Sequence, residues 1–77
     1  MIGSTGVIRI GSRVCVRDTD DRVEFDIVEP HEADIAEARV SVASPLGRAL
    51  LGRQVGDEVR YRAPAGVRSV TVAEVSG

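Results

Sequence analysis

The sequence contains no lysine, no tryptophan, one phenylalanine, one tyrosine, one histidine and one cysteine. A single cysteine, Cys15, excludes an internal disulfide and so a disulfide-stapled miniprotein, and it suits a reducing compartment. With His31 it makes two soft ligands, whereas a closed structural zinc site needs about four, so the chain alone supplies no such site. Long apolar runs are also missing. None approaches the roughly 18 residues of a membrane span, and no charged-then-apolar signal opens the chain, so a cytoplasmic location with no membrane partner is expected. There is no basic excess either. Ten arginines face twelve acids for a net charge of −2, which is not the balance of a sequence-independent nucleic-acid binder, and no direct nucleic-acid partner is expected. At 77 residues the chain forms one small domain that buries only about 60% of its unfolded surface, too little for a large enclosed active site.

The charge that is present is unevenly spread. Asp18, Asp20, Asp21, Glu24, Asp26, Glu29, Glu32, Asp34 and Glu37 face Arg22 alone, a net −8 between flanks of +3 each. A folded domain would present an acidic side and an arginine-bearing side, able to steer a charged partner. For any one of these side chains taken alone, a solvated surface group is the plainer reading.

Apolar residues recur at every second position: Val14 and Val16; Val23, Phe25 and Ile27; Val40 and Val42; Val59 and Tyr61; Val70 and Val72. Period two means strands with one buried face, and the polar alternates predict an antiparallel sheet with its other face in water. In the last run the phase shifts to Ala73 and Val75, which predicts a bulge near Ala73. Asp18 to Asp21 and Ala63 to Gly66 read as hairpin turns. One short helix is predicted over Pro45 to Leu51, with Ser44 as its cap, Pro45 at the first position and Gly52 at the exit. Leu46, Leu50 and Leu51 form its apolar face. Gly47 inside it costs about 1 kcal/mol against alanine, so packing rather than propensity must hold it. Residues 29–38 read as a polar loop or frayed turn begun by Pro30, and residues 1–10 as a flexible lead-in.

Little of this carries catalytic chemistry. Cys15 and His31 would be the only thiol–imidazole pair, but Cys15 lies within a strand as a small space-filler and His31 reads as a surface residue. Asp18, Asp20 and Glu29 match three positions of a calcium loop. Val23 stands where that loop requires glycine, so a solvated turn is the better reading. No phosphate-cradling glycine loop precedes a helix, and no catalytic residue, metal or cofactor is expected.

The order Ala43-Ser44-Pro45-Leu46-Gly47-Arg48-Ala49-Leu50-Leu51-Gly52, followed by Val55-Gly56-Asp57-Glu58-Val59, resembles the C-terminal domain of the bacterial Gre transcript-cleavage and elongation factors. There a stretch of the form S-P-L-G-x-A-L-L-G precedes G-D-x-V and then P-x-G. Gly11-Ser12-Arg13-Val14, Phe25-Asp26-Ile27-Val28, Glu32-Ala33-Asp34 and Pro64-Ala65-Gly66 extend the likeness in order over residues 11–75. The resemblance implies an α+β, FK506-binding-protein-like fold over residues 11–77: a twisted antiparallel sheet of about five strands wrapped on one short helix.

It also implies a partner, the rim helices of the RNA polymerase largest subunit at the mouth of the secondary channel, and a role in regulating transcription. In that family an N-terminal helical hairpin, with carboxylates at its tip, enters the channel and assists metal-dependent RNA cleavage. The ten residues before the first strand here span at most about 35 Å and hold no acid, so this chain alone is expected not to stimulate cleavage. Carried onto this sequence, the docking contact falls on Ala43, Ser44, Pro45 and Leu46, with Arg48 placed to reach a partner. The family usually has Asn or Asp where Ala43 stands, which removes one polar contact. Two alternatives share the fold: a peptidyl-prolyl isomerase, which would need an aromatic-lined cleft where only Phe25 and Tyr61 are available, and a small regulator related to those of nucleoside diphosphate kinase.

Overall fold

Alternation of apolar residues builds five strands, β1 (Arg13–Asp18), β2 (Asp21–Val28), β3 (Arg39–Ser41), β4 (Glu58–Ala63) and β5 (Gly66–Ser76), with one helix, α1 (Pro45–Leu50). These come from a computed structural model that describes residues 7–19 and 21–77. The strands form one sheet in the order β3-β2-β1-β5-β4. β1 and β2, and β4 and β5, are joined by two-residue hairpin loops, with Asp18 opposite Asp21 and Ala63 opposite Gly66. Thr19 turns the first at φ 56°, and Pro64 fixes the backbone angle of the second.

β5 is long enough to pair with β1 on one side and β4 on the other, and it carries the expected bulge. Cys15 lies opposite Glu74 and Val16 opposite Val72, which leaves Ala73 as the extra residue. That bulge lets the strand bend while Val70 and Val72 stay buried on the inner face.

The sheet is mixed rather than wholly antiparallel. β3 runs parallel to β2, pairing Asp26 with Arg39 and Val28 with Ser41. The reason lies in residues 29–38, which make two 3-10 turns, Pro30–Glu32 and Ile35–Glu37, and carry the chain back along β2 as a crossover. Alternation within a strand of three residues says nothing about its direction.

Helix α1 packs on β4 and on β3, the two edges of the curled sheet, and Leu50 is buried against the strands. The core is Ile8, Val14, Val16, Phe25, Ile27, Leu50, Val59, Val70 and Val72, with Leu46, Val40 and Tyr61 packed at its margin. Three positions differ from expectation. Val23 is 50% exposed rather than on the core face, because the hairpin end of β2, residues 21–24, projects beyond the core. Leu51 lies beyond the last helical residue and is 38% exposed, because the helix ends one residue early and the chain turns away toward Gly52. Of the lead-in, residues 1–6 lie outside the described residues, but Ile8 is only 1% exposed. Its N–H donates to the Arg53 carbonyl at 2.8 Å and its carbonyl accepts from the Gly52 N–H at 2.9 Å, so the packed structure begins before Gly11.

No helix among the described residues is long and apolar enough to cross a membrane.

Candidate functional site

The chain enters α1 through a small hydrogen-bonded device. Ser44 Oγ donates to the Ser41 carbonyl at 2.7 Å and accepts the Gly47 N–H at 3.1 Å, so one hydroxyl ties the end of β3 to the first helical turn. Pro45 follows at the position where a missing N–H costs nothing. Ser41 Oγ in turn accepts the Ala43 N–H at 2.9 Å. Gly47 completes the arrangement. A Cβ built there would lie 2.0 Å from the Ser41 carbonyl oxygen, so the glycine that looked like a weak helix former is what lets the helix lie against the backbone of β3.

This geometry leaves Pro45 exposed and Ser44 and Leu46 half-buried at one wall of an open groove of about 740 Å³. Val40 and Tyr61 are among its lining residues, Ile35 borders it from the crossover, and Pro64, Arg62 and Arg68 border it from the β4–β5 hairpin. The lining is mainly apolar. Arg68 is tied to Asp18 at 2.6 Å, while Arg62 makes no ion pair among the described residues.

Of the residues singled out in the sequence, Ser44, Pro45 and Leu46 therefore share one surface with the groove. Ala43 is exposed just before them, and Arg48 is exposed on the last helical turn without lining the groove. Ile35, Tyr61 and Pro64 were not anticipated there. They come from two separate segments, the crossover and the β4–β5 hairpin, that only the topology brings together beside α1. The available signal was Ile35, an isolated branched apolar residue in a polar, acidic stretch.

The thiol–imidazole pair is not assembled. Cys15 is 4% exposed in β1, where its sulfur accepts from the Arg22 guanidinium at 3.5 Å, and the same group bonds Glu74 at 3.1 Å. The Cys15 sulfur, with Glu74 behind it, raises the Arg22 pKa above its ordinary value and keeps it cationic. His31 stands on the crossover, where it lines a polar recess with Glu32, Asp34 and Arg39.

The sequence matches the model of the family described as "Transcription elongation factor, GreA/GreB, C-term" over residues 3–77. It is 43% identical over 67 residues to transcription elongation factor GreA of Syntrophobacter fumaroxidans, covering 84% of this chain and 43% of that protein. The crystal structure of Thermus aquaticus Gfh1 superposes with a TM-score of 0.85 at 40% identity, over 95% of this chain and 50% of that one. The elongation factor GreA/GreB of Nitrosomonas europaea gives 0.78 at 31% identity, over 94% and 62%. The chain spans about half the length of the curated relatives it matches. A capped helix laid by a glycine against β3, the bulged β5 and the match along almost the whole chain lead to one conclusion: this chain belongs to the GreA/GreB C-terminal domain family of transcription elongation factors.

Proposed function

We propose that this chain is a polymerase-binding module, docking on the rim helices of the RNA polymerase largest subunit at the secondary channel through the start of α1. The observation that carries this reading is the exposed Pro45 at the wall of an apolar groove, on a helix start that the Ser44 cap and the Gly47 contact hold rigid. A preorganised surface of this kind loses little entropy on binding. Ser44 uses its hydroxyl proton and one lone pair within the chain, so Pro45 and Leu46 supply most of the contact, with Ala43 and Arg48 beside them. The role is one of binding rather than catalysis, in the cytoplasm where the polymerase works.

Prolyl isomerisation is less well supported. Phe25 is buried in the core, which leaves Tyr61 as the one aromatic side chain on the groove.

The test is titration of the chain against an isolated coiled-coil fragment carrying the rim helices. Pro45→Ala should weaken binding several-fold while the thermal midpoint holds, because Pro45 is exposed and its N1 position tolerates alanine. Equal affinity of Pro45→Ala and wild type would discard the surface. Ser44 is a poorer probe, since changing it also removes the cap.

A further inference from the structure

The crossover between β2 and β3 is ordered without contributing to the core. Its two 3-10 turns bury none of their residues. Its second half is nevertheless held by a dense set of local bonds. Asp34 and Arg39 exchange backbone hydrogen bonds at 3.0 and 2.9 Å, and the Asp34 carboxylate accepts the Ala36 N–H at 3.1 Å. Ala38, at φ 58°, closes the turn by donating its N–H to the Ile35 carbonyl at 3.0 Å. What this segment presents is Ile35, 81% exposed, the most exposed large apolar side chain among the described residues.

Ile35 borders the groove from the crossover, while Tyr61, Arg62 and Pro64 border it from the β4–β5 hairpin. Because α1 packs on both β3 and β4, Pro45 and Leu46 lie between these two sides. The sides differ in charge. The crossover as a segment is acidic, Glu29, Glu32, Asp34 and Glu37 against Arg39, although Glu32, Asp34 and Arg39 line a recess of their own and only Ile35 reaches the groove; on the other side stand Arg68, paired with Asp18, and Arg62, which makes no ion pair among the described residues. An open apolar trough with an arginine at one margin and an acidic segment behind the other is complementary to an amphipathic helix lying along it.

We infer that Ile35 is a second anchor of the docking surface, seated against the apolar stripe of a partner helix whose basic side chains face the crossover and whose acidic side chains face Arg62. This rests on the docking reading above, and it adds both a contact residue and an orientation. The crossover then has a purpose that core packing does not supply: it holds one jaw of the groove at a fixed distance from Pro45.

The experiment is a fluorescence-anisotropy titration of the labelled rim-helix coiled coil with the whole chain and four variants. Ile35→Ser should weaken binding by about tenfold, the scale of losing one buried anchor. Val67→Ser is the control, because Val67 is 67% exposed but does not line the groove, and it should bind as wild type. Arg62→Glu should weaken binding at low salt, with the difference shrinking as salt rises. Thermal midpoints should stay unchanged for Ile35→Ser, which removes no core contact. Wild-type affinity in Ile35→Ser, alongside a weakened Pro45→Ala, would overturn the second anchor and leave the docking reading standing. An unchanged Arg62→Glu would overturn the orientation. Failure of the wild-type chain to bind would remove the docking reading and this inference together.

Discussion

Replacing Gly47 with alanine sets helix propensity against a backbone contact, and the two have opposite signs. In an ordinary helix interior the change stabilises by about 1 kcal/mol. Here the new Cβ would lie 2.0 Å from the Ser41 carbonyl oxygen, 2.9 Å from its carbon and 3.0 Å from the Val42 Cα. All three are backbone atoms, so no side-chain rotation relieves the overlap. Bringing the shortest distance to 3.0 Å, which real Cβ atoms essentially never go below, parts the helix from the end of β3 by about 1 Å. The Ser44 hydroxyl bridges that same gap, at 2.7 Å to Ser41 and 3.1 Å to Gly47, so the cap is disturbed as well. Overpacking costs about 1–3 kcal/mol and a lost cap about 1 kcal/mol. After subtracting the propensity gain, the net loss is about 2 kcal/mol, or roughly 8–16 °C in Tm for a domain of this size. Thermal and urea unfolding followed by circular dichroism measure it directly. A midpoint equal to or above that of wild type would refute the contact argument and show that the helix shifts freely on the sheet.

Two further substitutions probe the margins of the fold and of the site. Ile8→Ala should cost about 2–5 kcal/mol, a large share of the roughly 4–12 kcal/mol expected for a domain of this length, and urea unfolding should show it. Ala43→Asn places a polar side chain at the exposed position before the cap and should tighten binding to the rim-helix coiled coil several-fold with no change in Tm, as read by the same titration.

Features that depend on neighbours in sequence were legible before the structure. Period-two alternation marks the strands, the phase change at Ala73 marks the bulge opposite Cys15 and Val16, and Ser44-Pro45 marks the helix start. Features set by distant backbone were not. Ile8 follows a glycine-rich stretch with no periodicity of its own, and its burial depends on hydrogen bonds to Gly52 and Arg53. The direction of β3 depends on a crossover whose polar residues predict a loop but not the path it takes. Gly47 is the sharpest case, since residue type reports its conformational freedom and only the approach of Ser41 reports its lack of space. The site divides the same way. Ser44, Pro45 and Leu46 adjoin in sequence, whereas Ile35 and Tyr61 meet them only through the fold.

That division has a physical consequence for how stability and binding separate. Ser44 and Gly47 hold the wall of the groove in place through bonds and contacts internal to the chain, so changing either should lower Tm and affinity together. Pro45 and Ile35 face outward, so changing either should lower affinity at constant Tm. A docking surface carried by a flexible loop would show no such split, because few of its residues would be coupled to the core. The four substitutions therefore test a single idea, that the surface is rigid because its inner layer is part of the β3–α1 packing. Loss of affinity without loss of stability at Gly47 would contradict it as directly as the reverse result at Ile35.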